Sequence, residues 1–171
     1  MFFKTTSSKV SRVEAILFRG GPMAEQETLI VAELHYADPV AALGWLEKVF
    51  GFTTRIVVRD DMNNFVFSES EVGQGQSVAV LPEMGEKNQS PLRVAGINTQ
   101  TVRVRSQVNV LEHCERARSL GAKILSEPEQ FFFGDLTYFV ADLEDHIWAF
   151  AQPIKGKAGP PPEGWSVEVP K

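Results

Sequence analysis

The chain has 171 residues, of which 43% are hydrophobic and 23% charged, with a net charge of -5. These values place it among ordinary globular sequences with room for one packed core, and they exclude a disordered or fibrous chain. No Lys/Arg block offers a footprint for a phosphate backbone, so nucleic acid is excluded as a partner. Cys114 is the only cysteine, which rules out an intrachain disulfide and a multi-thiolate zinc site and fits a reducing compartment. Neither the short apolar run near residues 15–18 nor any later stretch has the length of a signal core or a membrane span, so a cytoplasmic location without membrane association is expected.

Residues 1–28 are mixed and interrupted by Ser7, Ser8, Gly20, Gly21 and Pro22, and read as an extension in which Val13 to Phe18 could add an edge strand. Leu29 to Tyr36 alternates as a strand. Asp38-Pro39 then opens a helix over residues 39–50 that Gly51 stops, with Asp38 as N-cap and Pro39 at the first helical position. Ala42, Leu43, Leu46, Val49 and Phe50 recur at three- and four-residue intervals on its buried face. Strands are predicted at Thr53 to Arg59, Phe65 to Ser70 and Ser77 to Leu81, separated by turn residues. Pro82 to Pro91 is a polar linker.

The same order then begins again. Thr99 to Arg105 is a strand, residues 108–120 a helix stopped by Gly121, and Ala122 to Leu125, Leu136 to Ala141 and His146 to Gln152 a second strand set. The tail, residues 153–171, is rich in Pro and Gly, with Trp165 as an anchor. The expected fold is α+β: two βαβββ modules, 29–82 and 97–152, forming a curved, cup-shaped mixed sheet with the helices outside.

Two segments carry a resemblance. ADPVAALGWLEKVFGF (37–52) and ERARSLGAKILSEPEQFFFGDLTYFVADLEDHIWAFAQ (115–152) resemble the vicinal oxygen chelate superfamily of glyoxalases, bleomycin-resistance proteins and extradiol dioxygenases. The second segment departs from the family's Asp-Pro-Glu-Gly-His turn by reading Asp142-Leu143-Glu144-Asp145-His146, so a distorted turn is expected. The resemblance implies metal ligands near Val31, Glu69, Thr99 and Ala149. Only Glu69 could ligate, and one carboxylate does not hold a catalytic divalent ion, so no metal and no cofactor are expected. It also implies a homodimer, since relatives complete their cups by pairing modules.

Strand parity counted from those positions turns Glu33, His35, Phe65, Phe67, Glu69, Thr101 and Arg103 into the cup as candidate ligand-binding residues. Two readings of them stay open. Either they line a pocket for a small, partly aromatic and anionic molecule, or Glu33, His35 and Arg103 form a structural ion-pair network. An enzymatic alternative gives His35 or Glu69 the role of general base and Arg103 that of anion stabiliser. A metal-dependent lyase or dioxygenase with substituted ligands is the family alternative. Phe131-Phe132-Phe133 is expected in the core or a dimer contact, His113 in solvent, His146 in a structural hydrogen bond, and Cys114 inert between helix and sheet.

Overall fold

The Asp38 carboxylate accepts a hydrogen bond from the Ala41 amide at 3.0 Å, and Gly51 closes the same helix at φ +77°, a conformation that costs glycine nothing. These caps bound α1 (Pro39–Phe50) in the computed structural model, which describes residues 30–171 except 74, 99, 106, 107, 157 and 169–171. The elements below lie in the compact unit Val31–Lys171. The possible edge strand at Val13 to Phe18 lies outside the described residues.

The first module runs β1 (Ala32–Tyr36), α1, β2 (Thr53–Arg59), β3 (Phe65–Gly73), β4 (Gln76–Pro82). The second runs β5 (Thr101–Arg105), α2 (Val110–Ser119), β6 (Lys123–Gln130), β7 (Asp135–Ala141), β8 (Ile147–Pro153). A short 3-10 turn, Pro91–Val94, interrupts the linker between them. This is the expected α+β fold of two βαβββ modules, and each has its own four-stranded mixed sheet, in the orders β1-β4-β3-β2 and β5-β8-β7-β6. The parallel partners are β1 with β4 and β5 with β8, because the helix carries the chain back across the sheet, whereas tight turns make the other pairs antiparallel.

Alternation sorts each strand into two faces. Leu34, Tyr36, Val78 and Val80 of the first sheet, and Val104, Tyr138, Val140, Trp148 and Phe150 of the second, join Ala42, Leu46, Val49, Phe50, Val110, Cys114 and Ala117 of the helices in one core. Phe50, at the end of α1, packs edge-on against both Trp148 and Phe150, with ring centroids 5.6 and 4.9 Å away. A helix end of one module is thus buried among strand aromatics of the other. The face of each sheet turned away from the helices, here the far face, is left to carry chemistry. Among the described residues no helix is long and apolar enough to cross a membrane.

Candidate functional site

On the first sheet, Glu33 and His35 alternate with the buried Leu34 and Tyr36 and therefore stand on the far face, as parity predicts. Glu33 pairs in register with Ala79, and Ala79 with Glu69, so the two carboxylates flank a methyl group. Glu69 accepts a hydrogen bond from the Ser77 hydroxyl. His35 Nδ1–H donates to the Pro82 carbonyl at 2.9 Å; a carbonyl only accepts, so the neutral ring keeps Nε2 as its bare nitrogen. Glu33 and His35 line a polar cavity of about 330 Å³ with Lys87, Asn98 and His146 among its other walls. Phe67, Glu69, Thr101 and Arg103 are not part of that cavity. Phe67 is half-buried, and Phe65, where β2 and β3 slip register, packs against the core.

On the second sheet the parity also holds. Thr101, Arg103 and Arg105 are exposed and pair in register with Ile147, Ala149 and Ala151. Arg105 Nη2 donates to Asp135 Oδ1 at 2.8 Å and Arg103 Nη1 to Asp135 Oδ2 at 3.5 Å, so both guanidinium groups meet one buried carboxylate. Arg103 also lies 5.7 Å from the centroid of Phe133. The acid that holds Arg103 is therefore Asp135, which parity counted on the first module could not reveal. Arg105 and Asp135 lie outside the set read from the sequence; the signal available was Arg105's two-residue spacing from Arg103.

The donor set does not fit a divalent metal. Val31 and Ala149 offer no ligand atom, Glu69 is engaged by Ser77, and Thr99 lies outside the described residues. Among the described residues no three His, Cys, Asp or Glu side chains gather closely enough to hold an ion. At the level of Ala149 the neighbouring side chain is a guanidinium, which repels a cation.

The turn between β7 and β8 clamps the two modules together. Asp142 accepts from the Tyr36 hydroxyl at 2.6 Å, the Trp148 indole at 3.0 Å, and the backbone amides of Glu144 and His146 at 3.0 Å each. Burial pushes its carboxyl up from the ordinary value, against the pull of His146 and these donors, and burial likewise raises Tyr36. The turn closes regularly, the Asp142 amide bonding the His146 carbonyl at 3.0 Å. Asp145 adopts φ +66° where the family motif has glycine. Asp145 takes that left-handed backbone itself and closes a compact turn. His146 Nε2–H donates to the His35 carbonyl at 3.0 Å, the structural role expected of it.

His113 is a correction: it is buried. Its Nε2–H donates to the Phe50 carbonyl at 3.1 Å and its Nδ1 accepts from the Tyr138 hydroxyl at 2.7 Å, because it shares the α2 stripe of Val110, Cys114 and Ala117. Burial lowers its pKa from the ordinary value and raises that of Tyr138. The charged neighbours Glu112 and Glu115 suggested solvent, but the three- and four-residue spacing pointed inward. A second cavity, about 190 Å³ and more apolar, lies beside it, lined by Phe50, Phe52, Val72, Val104 and Phe150. Cys114 is fully buried, as expected. Phe131, Phe132 and Phe133 form an aromatic knot at the mouth of β7, Phe131 stacked on Phe133 at 5.3 Å and Phe132 meeting Trp165 of the tail edge-on at 6.1 Å.

No family model matches the sequence, and no curated protein matches it. Solved structures do. The chain is similar to TioX from Micromonospora sp. ML1, with 30% identity over 73% of this chain and 95% of that one, at a TM-score of 0.58. It shares its fold with TnmS3, an antibiotic binding protein from Streptomyces sp. CB03234 (11% identity, 77% and 99% of the two chains, TM-score 0.59). It likewise shares its fold with the fosfomycin resistance protein FosX from Listeria monocytogenes (12% identity, 78% and 98%, TM-score 0.58).

Proposed function

The chain belongs to the vicinal oxygen chelate superfamily, and from that premise we propose that it is a metal-independent binder of a small, partly aromatic, anionic molecule. The ligand lies on the far faces of the sheets. Arg103 supplies the anion contact, and Glu33, His35, Phe67, Glu69 and Thr101 are the remaining candidates. The observation that carries this reading is the substitution of the ligand positions: aliphatic side chains at Val31 and Ala149, with the Arg103 guanidinium beside the latter. A fixed cation serves an anionic ligand without a metal. The antibiotic binding described for TnmS3 fits the same use of the fold.

A second reading keeps the site but adds a reaction. The Pro82 carbonyl holds the His35 tautomer and leaves Nε2 bare, the arrangement of a general base, beside a cavity that also contains Lys87. Metal analysis of the purified protein with a thermal-shift screen of anionic aromatics and their neutral isosteres tests the first reading. Anion-selective shifts without bound metal support it; a stoichiometric metal, or no shift with any compound, overturns it.

A further inference from the structure

We infer that Arg103, Arg105 and the aromatic knot at Phe133 form a subsite for a planar aromatic carboxylate. This deepens the binder reading, on which it rests, by placing the anion between Arg103 and Arg105 and naming its chemical class.

The inference starts from a mismatch in number. A buried carboxylate needs one guanidinium, and Asp135 has two, each giving it a single N–H. A guanidinium carries five donors in a planar fork, so both arginines keep donors to offer, and the trio has a net positive charge. The floor beneath explains why two long side chains reach the same carboxylate. Their register partners on β8, Ala149 and Ala151, are small enough for both to lie across the sheet toward β7. Beside Asp135 on the same strand face stands Thr137, whose buried hydroxyl has no hydrogen-bond partner among the described residues.

The wall is aromatic. Phe133 stacks with Phe131, contacts Phe132 edge-on, sits under Arg103 and remains 44% exposed; Trp165, against Phe132, is 66% exposed. Exposed rings next to guanidinium forks that each give Asp135 a single N–H fit a flat ring carrying a carboxylate, the ring on the aromatic wall and the oxygens on the forks. Among the described residues, register places an opposing charge there, Glu129, exposed on β6 opposite Thr137. It disfavours a second negative charge, which favours a monocarboxylate over a dianion.

Calorimetry on the full chain tests this with 2-naphthoate as probe and 2-naphthylmethanol as its neutral isostere. The naphthoate is expected to bind at least about ten-fold more tightly than the alcohol, as a charged hydrogen bond implies. Arg105→Gln should weaken naphthoate about ten-fold, and Phe133→Ala about three- to ten-fold. Glu129→Gln should tighten it about two-fold by removing a like charge. Should Arg105→Gln fail to fold, Arg105→Lys retains the charge, and binding weakened at least about three-fold then reports the lost fork. Equal affinity for acid and alcohol, or no naphthoate binding, overturns the subsite. Binding that survives Arg105→Gln and Phe133→Ala but is lost in His35→Ala also overturns it and moves the anion contact from Arg103 to the first sheet, while metal-independent binding of an anionic aromatic still stands.

Discussion

The Tyr36 hydroxyl donates to the Asp142 carboxylate at 2.6 Å, across 106 residues of chain and with both groups buried. Removing the hydroxyl in Tyr36→Phe takes one donor from a buried acid and is expected to cost about 1–3 kcal/mol of folding stability. Asp142→Ala strands the Tyr36 hydroxyl, the Trp148 indole and two backbone amides at once, and should cost at least about 3 kcal/mol. Urea unfolding of the two variants measures both, and equal small losses would contradict the hub described for Asp142.

Stability should fall with acidification through His113. Burial depresses its folded pKa, with Arg116 adding to the effect, so the unfolded chain takes up the proton first. The imidazole's contribution is complete above the unfolded value near 6.5 and is lost as pH falls from there toward the folded value. Asp142 has the opposite slope: its raised folded pKa makes its contribution greatest at low pH and smaller as pH rises through that value. Comparing wild type with His113→Gln between pH 7.5 and 5 isolates the imidazole, and parallel profiles would contradict its burial as a neutral group.

Ala95 ends the linker's 3-10 turn at φ +55°, exposed to solvent. A side chain there is strained, and Ala95→Gly should stabilise the protein by about 0.5–1 kcal/mol, readable as a higher urea midpoint at unchanged slope.

Chelation should leave the melting temperature unchanged, because the ligand positions described above do not supply a metal's donor set. A drop in Tm with EDTA that zinc or manganese restores would contradict this.

Two copies of the chain are expected to associate, since each module leaves a sheet face for a partner to cover. Light scattering at micromolar concentration checks this; the mass of a single chain would count against it.

Much of the fold was legible because it rests on local signals. Asp38, Pro39 and Gly51 punctuate α1 within a few residues, and the repeat of that punctuation around Gly121 marks the second module. Strand parity was also local, which is why Glu33, His35 and Arg103 came out on the face turned from the helices. What escaped depends on register between distant strands. Nothing near Arg103 in the chain announces Asp135, 32 residues on, or the alanines of β8 that let the side chain reach it. His113 was misjudged by weighting its charged neighbours over its helical stripe, and Phe65 because parity alone does not register the slip between β2 and β3.

Glu144 caps backbone that lies more than a hundred residues earlier: its carboxylate accepts from the Ala37 and Asp38 amides at 2.7 and 2.8 Å, where β1 turns into α1. A ribosome releases residue 37 long before residue 144. The amino-terminal half therefore leaves the exit tunnel without the group that finishes its first turn, and its final arrangement waits for the last hairpin. Truncation before Leu143 should leave a nascent fragment that proteases cut near Ala37, where the uncapped amides lie. The two halves are repeats by pattern, but in synthesis they are not interchangeable, because the later one completes the earlier.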